Sequence, residues 1–343
     1  MSGRAFAPLP RPAVLASLGE SADGLLSAWL FKPDRPPEPL ALGEIEAAYR
    51  QADGVIWVHL NCAAAPAKSW LTSQTHLPEP IREALLESDP RTRMEPLGNA
   101  ILAVIGDMAA GADPDPWHLT ALHFYLDHRW LVSTRRRPAS SASKLGRAVH
   151  SGLTVRSTAE LMVWLLSHAA DSIAERAREL ARETDRSEDD ILAGHTGLPR
   201  ERLGKARRRA AQLRRQVALR PRALDRMRAR LPAWIGENDR FDLLDALDRM
   251  ETLVDELQAI EQREAGLEAE IAARLSEATN RNLYVLSVVT VIFLPMTLIT
   301  GVFGMNVAGL PGLHDADAFW WVMLSMAAIP ALFLLALRWR GRL

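Results

Sequence analysis

Two uncharged apolar runs near the C-terminus constrain this 343-residue chain more than any other feature. Leu283–Phe303 reads LYVLSVVTVIFLPMTLITGVF, and Ala318–Leu337 reads AFWWVMLSMAAIPALFLLAL. A helix rises about 1.5 Å per residue, so the first run spans roughly 31 Å, close to the ~30 Å of a bilayer's hydrocarbon core. Lipid supplies no hydrogen-bond partner for backbone N–H or C=O, so a spanning segment must be helical. The alternative, two buried helices of a soluble protein, needs an unusually large core to cover both.

Charge then sets the expected orientation. Arg274 and Arg281 precede the first run, and Arg338, Arg340 and Arg342 follow the second. The stretch between them, residues 304–317, has no Lys or Arg but carries His314, Asp315 and Asp317. The positive-inside rule places both termini in the cytoplasm and the loop outside. The N-terminal MSGRAFAPLPRPAVLASLGE is broken by prolines and does not read as a signal peptide. The one cysteine, Cys62, excludes an intrachain disulfide and reads as a small buried hydrophobe. The expectation is a large cytosolic region followed by a two-span anchor.

The expected domains are an α/β cytosolic domain over 1–155, a helical region and stalk over 156–280, a first span over 281–303, an outer loop over 304–317, a second span over 318–337 and a basic tail over 338–343. GLLSAWLF, GVIWVHLN and NAILAVIGDM read as strands, PEPIREALLE as a helix, and LTALHFYLDHRWLVSTRR as a hairpin turning near Asp127 and His128. His123 and Tyr125 alternate with Leu122, Phe124 and Leu126, which puts His123 on a polar strand face and not in a metal site. RRRPASSASKLG reads as a loop. Ser157 with Glu160 three residues later has capping-box spacing, and Gly194, Gly197 and Pro199 are expected to end the helix that follows.

Leu198–Leu231 holds thirteen Lys/Arg against two acids, whereas Glu237–Glu277 holds thirteen acids against four arginines. Antiparallel pairing of the two would neutralise both. The acidic segment carries Leu243, Leu247, Met250, Val254, Leu257, Ile260, Leu267, Ile271 and Leu275 near a 3.5 spacing. No proline interrupts Asp239–Leu294, so one helix is expected from the cytosol into the membrane. Asp239–Phe303 would be about 97 Å long. A stalk of that length serves several copies bundled around an axis better than it serves a single anchored domain.

Along the first span, steps of three and four trace Asn280, Leu283, Ser287, Thr290, Leu294, Thr297 and Gly301. Such hydroxyls either bond back to their own helix or line a pore. Two spans cannot enclose a water path, so a pore requires an oligomer. Asn306 would then form a neutral amide ring at the outer mouth, able to hold a hydrated cation without binding it too tightly. Gly304 and Gly309 let the backbone turn as the helix ends.

Gly304-Met305-Asn306 after the run IFLPMTLITGVF, with two C-terminal spans and a large cytosolic domain, resembles the CorA-type divalent metal transporters. The resemblance implies a funnel-shaped homopentamer in the cell inner membrane. Its cytosolic domain would be an α+β, α/β/α-like sandwich on stalk helices, with Gly304, Met305 and Asn306 as selectivity filter and Arg338, Arg340 and Arg342 around the inner mouth. Partners would be further copies of the chain, lipid and metal ions, with no nucleic acid, no cofactor and no enzymatic activity. Two departures favour Zn²⁺ over Mg²⁺, Co²⁺ or Ni²⁺. The segment after the triplet, VAGLPG, has no acid, which resembles the ZntB zinc-transporter branch, and the stalk position that resembles the regulatory aspartate of magnesium-type members is Ala269, flanked by Glu268 and Glu270. His314, Asp315 and Asp317 either concentrate cations at the mouth or form an ordinary solvated loop. A membrane-anchored protein holding nucleic acid or anionic lipid through residues 200–230 is the competing class.

Overall fold

The computed structural model describes residues 23–51, 53–74, 76–87, 92–111, 115–195, 197–219, 221–305, 310 and 317–339. The chain forms two compact units, Met1–Glu268 and Ala269–Leu343.

The first unit is built on a seven-stranded sheet in the order β2-β1-β3-β7-β6-β5-β4. Its strands are β1 (Leu25–Phe31), β2 (Glu38–Pro39), β3 (Val55–Asn61), β4 (Arg93–Leu97), β5 (Ala100–Met108), β6 (Leu119–Leu126) and β7 (Trp130–Arg135). β3 and β7 pair in parallel, and every other neighbouring pair is antiparallel. The long crossover between β3 and β7 contains α2 (Ala65–Ser73) and α3 (Glu79–Leu86), which cover one face with α1 (Ile45–Gln51). α4 (Ser140–His150) and α5 (Thr158–Leu192) cover the other. Alternation sorts the strand residues: Trp57, Phe124 and Leu131 pack towards α4 and α5, while Val58, Tyr125 and Trp130 pack towards α2 and α3. Each buried Leu, Val or Phe adds roughly 1.5–3 kcal/mol relative to exposure. Cys62 is buried in the second of these layers, where burial pushes its thiol pKa up.

Two local expectations are corrected here. His123 shares a face with Tyr125 as its alternation requires, but that face is covered, leaving His123 only 3% exposed. Its Nδ1 lies 2.9 Å from the Ala84 carbonyl of α3, a hydrogen bond that satisfies the ring without solvent. The sheet lies between two helical layers, so alternation marks which layer a residue meets and not which face is wet. The expected loop RRRPASSASKLG contains the first half of α4. Its N-terminus is held from across the sheet by Asp107, whose Oδ2 accepts from both Ser141 N and Ser141 Oγ at 2.7 Å. That carboxylate is far away in sequence, and no local signal announces it.

Ser157 caps α5 by accepting from Glu160 N at 3.0 Å, and Glu160 reaches back to Arg156 N at 2.7 Å. Gly194, at positive φ, follows the end of α5. Gly197 and Pro199, expected to end that region, instead begin α6 (Gly197–Val217), where proline is tolerated because a first-turn N–H has no helical partner. α6, α7 (Pro221–Ala229) and α8 (Glu237–Phe303) complete the run. The basic helices meet acidic partners as their composition predicts. Arg207 pairs with Glu268 at 2.9 Å, Arg214 with Glu261 at 2.8 Å and Arg228 with Asp248 at 2.6 Å. The falling and rising residue numbers fix α6 and α7 antiparallel to α8. Such partly exposed pairs contribute roughly 0–1 kcal/mol each, so they set register more than stability.

Between α5 and α8 lies Glu264, which is 0% exposed. Thr184 Oγ1 is 3.0 Å from Glu264 Oε1 and 3.0 Å from the Leu180 carbonyl, and Glu264 Oε2 has no partner. A hydroxyl has one proton, so it cannot donate to both acceptors. If Glu264 is protonated it donates to Thr184, which donates to Leu180, and the chain of bonds closes. Burial pushes the carboxyl pKa up to about 7, and Glu183, Glu268 and Glu261 push it the same way.

Candidate ion-conducting helix

α8 is continuous over its 67 residues, and its last part belongs to the second unit. Among the described residues it is the one helix long and apolar enough to cross a membrane, and none of its apolar window is buried inside the chain. Leu283, Val285, Leu286, Phe293, Leu294 and Leu298 are all exposed. Left in water, each would forgo roughly 1.5–3 kcal/mol, so this surface needs lipid or other chains around it. α9 (Ala318–Trp339) carries a shorter apolar stretch, Ala318–Phe333, with Trp320, Trp321 and Trp339 exposed.

The expected stripe, Asn280, Leu283, Ser287, Thr290, Leu294, Thr297 and Gly301, lies wholly on α8. Thr290 Oγ1 donates to the Leu286 carbonyl at 2.8 Å, and Thr297 Oγ1 to the Phe293 carbonyl at 2.8 Å. The back-bonding weighed from sequence is therefore present, and it has a chemical consequence. Each hydroxyl spends its proton inside the helix, leaving its oxygen lone pairs as acceptors on the surface. Acceptor oxygens at Thr290 and Thr297 suit water molecules hydrating a cation. Pro295 adds another acceptor, because it has no N–H for the Val291 carbonyl one turn earlier. No charged side chain lies between Arg281 and Phe303, so this face presents only neutral groups.

The helix closes at Phe303. Gly304 N donates to the Thr300 carbonyl at 2.9 Å, and Met305 N to that of Val302 at 3.4 Å. Gly304 is not at positive φ. A Cβ there would lie 2.8 Å from the Thr300 oxygen, so glycine is required by closeness to a carbonyl, whereas Gly301 faces open space within its chain. Asn306, Gly309, His314, Asp315, Arg340 and Arg342 lie outside the described residues. Asp317 immediately precedes α9, its carbonyl accepting from Trp320 N at 3.0 Å, and Arg338 stands in the last turn of that helix.

Near Ala269, Glu268 pairs with Arg207 and Glu270 with Arg274 at 2.6 Å. Among the described residues no group of three or more His, Cys, Asp or Glu side chains is placed to hold a metal ion. Glu264 escaped notice in sequence as one acid among thirteen. Its position one turn from Ile260 and Leu267, on the apolar stripe, was the signal that marked it as buried.

Residues 52–338 match the CorA-like Mg²⁺ transporter protein family. The zinc transport protein ZntB of Cronobacter sakazakii is 29% identical over 288 residues, covering 83% of this chain and 86% of that protein. The divalent cation transporter CmaX of Pseudomonas aeruginosa is 26% identical over 276 residues, 80% of this chain and 83% of that one. The solved structure of full-length CmaX superposes with a TM-score of 0.76 at 24% identity, covering 92% of this chain and 97% of that chain, so the fold is shared. With an uncovered apolar helix bearing neutral oxygens, and a family match that runs from just before β3 to the last apolar helix, the chain belongs to the CorA-like Mg²⁺ transporter family and is a divalent-cation transporter.

Proposed function

We propose that this transporter prefers Zn²⁺ and works as a homopentamer in the inner membrane, with both termini in the cytoplasm. The membrane-spanning part of α8 lines the path, with Asn280, Leu283, Ser287, Thr290, Leu294, Thr297 and Gly301 facing it. α9 lies outside as the second span. Gly304 and Met305 end the helix, and Asn306 supplies a ring of amide oxygens at the outer mouth. The ion keeps its water shell and is held through it by neutral acceptors, weakly enough to leave. His314, Asp315 and Asp317 raise the local cation concentration outside, and Arg338, Arg340 and Arg342 surround the inner mouth. No resident cofactor is needed, since the metal is cargo.

One observation carries this reading: the exposed apolar length of α8 with its hydroxyl protons turned inward to the helix. Zinc is favoured by the acid-free VAGLPG segment, by Ala269 and by the likeness to ZntB. The competing use of residues 200–230 for nucleic acid loses support from the pairing of Arg207, Arg214 and Arg228 with α8 carboxylates. The test is uptake into proteoliposomes holding the purified protein, with Zn²⁺, Mg²⁺, Co²⁺ and Ni²⁺ compared at equal concentration. Zn²⁺ is expected to enter fastest; preferential Mg²⁺ entry overturns the assignment of cargo but not of class.

A further inference from the structure

A pocket of about 340 Å³ opens on the sheet face that carries α3, between the end of α3 and the C-terminal half of α6. Thr120, Ala121 and His123 of β6 form part of its lining, with Gln212 and Gln216 of α6 opposite. Cys62, just past β3, and Arg135, Arg136 and Arg137, at the end of β7, complete the cationic side. β3 and β7 are the parallel pair of this sheet, so the pocket lies outside the carboxyl ends of parallel strands, where open sheets commonly bind ligands.

Among the described residues Arg136 and Arg137 of this pocket are not neutralised as the charge of α6 and α7 is. Arg136 Nη2 donates to the Leu86 carbonyl at 2.7 Å, and Arg137 Nη1 donates to His118 Nε2 at 2.8 Å. Those bonds orient the two guanidiniums and use few of their five donors. Neither arginine makes an ion pair among the described residues, in contrast to Arg207, Arg214 and Arg228. Among the described residues the one acid in the lining, Glu87, is bonded to Arg93. Arg135 adds a third guanidinium that is only 8% exposed. Gln216 Oε1 is buried without a partner, an acceptor waiting for a donor. Burial lowers the pKa of His123 and keeps that ring from adding charge.

We propose that this pocket binds a small di- or triphosphate anion, held by Arg136 and Arg137 and faced by Gln212 and Gln216. Arginine forks match phosphate oxygens in pairs, and the Gln216 oxygen suits a protonated phosphate hydroxyl. Among the described residues no Trp, Tyr or Phe lines the pocket, so the phosphates and not a base carry the recognition in this proposal. Its volume is at the small end of ligand sites.

The test is calorimetric titration of the full-length protein in detergent with pyrophosphate, ATP and inorganic phosphate, at constant ionic strength. Pyrophosphate and ATP are expected to bind alike, and inorganic phosphate at least tenfold more weakly. Gln212→Glu sets a carboxylate against the anion and is expected to weaken pyrophosphate binding at least tenfold with the thermal midpoint retained. The double variant R136Q/R137Q is expected to do the same. Replacing two exposed α6 arginines, R208Q/R215Q, is expected to leave binding unchanged. No binding by the wild type, wild-type affinity in Gln212→Glu, or equal loss in R208Q/R215Q would overturn the assignment. ATP binding tenfold tighter than pyrophosphate would also overturn the reading that only the phosphates are recognised.

Discussion

Replacing Glu264 by glutamine tests the buried contact between α5 and α8 most sharply. The carboxyl is fully buried, one oxygen lacks a partner, and the other competes with Leu180 for the single proton of Thr184. Its folded-state pKa is raised from 4.5 to about 7. For an acid with a raised pKa, the folded state holds the proton where the unfolded state has lost it. Stability therefore falls as pH rises through the interval from 4.5 to about 7, by about 1.4 kcal/mol per unit, and levels off above it. The whole interval costs about 3 kcal/mol, to order of magnitude. Glutamine keeps the shape and stays neutral, so that dependence disappears. Thermal unfolding of both proteins in detergent, followed by tryptophan fluorescence from pH 4.5 to 8, checks it. The two midpoints should agree at the acid end, and the variant should be the more stable from pH 7 upward. Parallel curves across the whole range would refute the buried neutral carboxyl.

Two further perturbations address the end of α8. Asn306→Ala should reduce metal uptake at least tenfold in proteoliposomes while light scattering still shows the native oligomer, because in the proposed filter it removes the amide oxygens that hold the ion; native uptake would move the filter elsewhere. Gly304→Ala places a Cβ 2.8 Å from the Thr300 oxygen. It should lower the thermal midpoint of the oligomer, at a cost of about 1–3 kcal/mol, and an unchanged midpoint would show that the helix end yields freely.

Much of this fold was legible because its signals are periodic. The strands around Trp57 and Phe124, the cap at Ser157 and the long α8 follow from alternation, a polar residue before an apolar run and the lack of proline between Asp239 and Leu294. The charge contrast between α6 and α8 predicted their antiparallel pairing, because opposite charge on neighbouring helices leaves few other arrangements. What escaped depends on contacts between distant residues. α4 is capped by Asp107 from another strand, His123 is covered by α3, and Gly197 and Pro199 start a helix because their backbone needs no N–H partner there. The stripe of α8 was legible in spacing, but the direction of the Thr290 and Thr297 hydroxyl protons was not. The arginines of the anion pocket read as loop charge until β3, β7 and α6 brought them together.

Accessibility of α8 to water tests the central claim directly. Cys62 is buried and small, so a Cys62→Ala background is suitable for single cysteines. Single substitutions Ser287→Cys, Thr290→Cys, Thr297→Cys and Gly301→Cys fall on the stripe, and Val285→Cys, Val289→Cys and Ile292→Cys fall on the opposite side of the helix. Zinc uptake into proteoliposomes is then measured before and after a small water-soluble thiol reagent. The account predicts block at the four stripe positions and none at the other three. Block confined to the opposite side, or uptake insensitive at every position, would contradict a cation path along this helix.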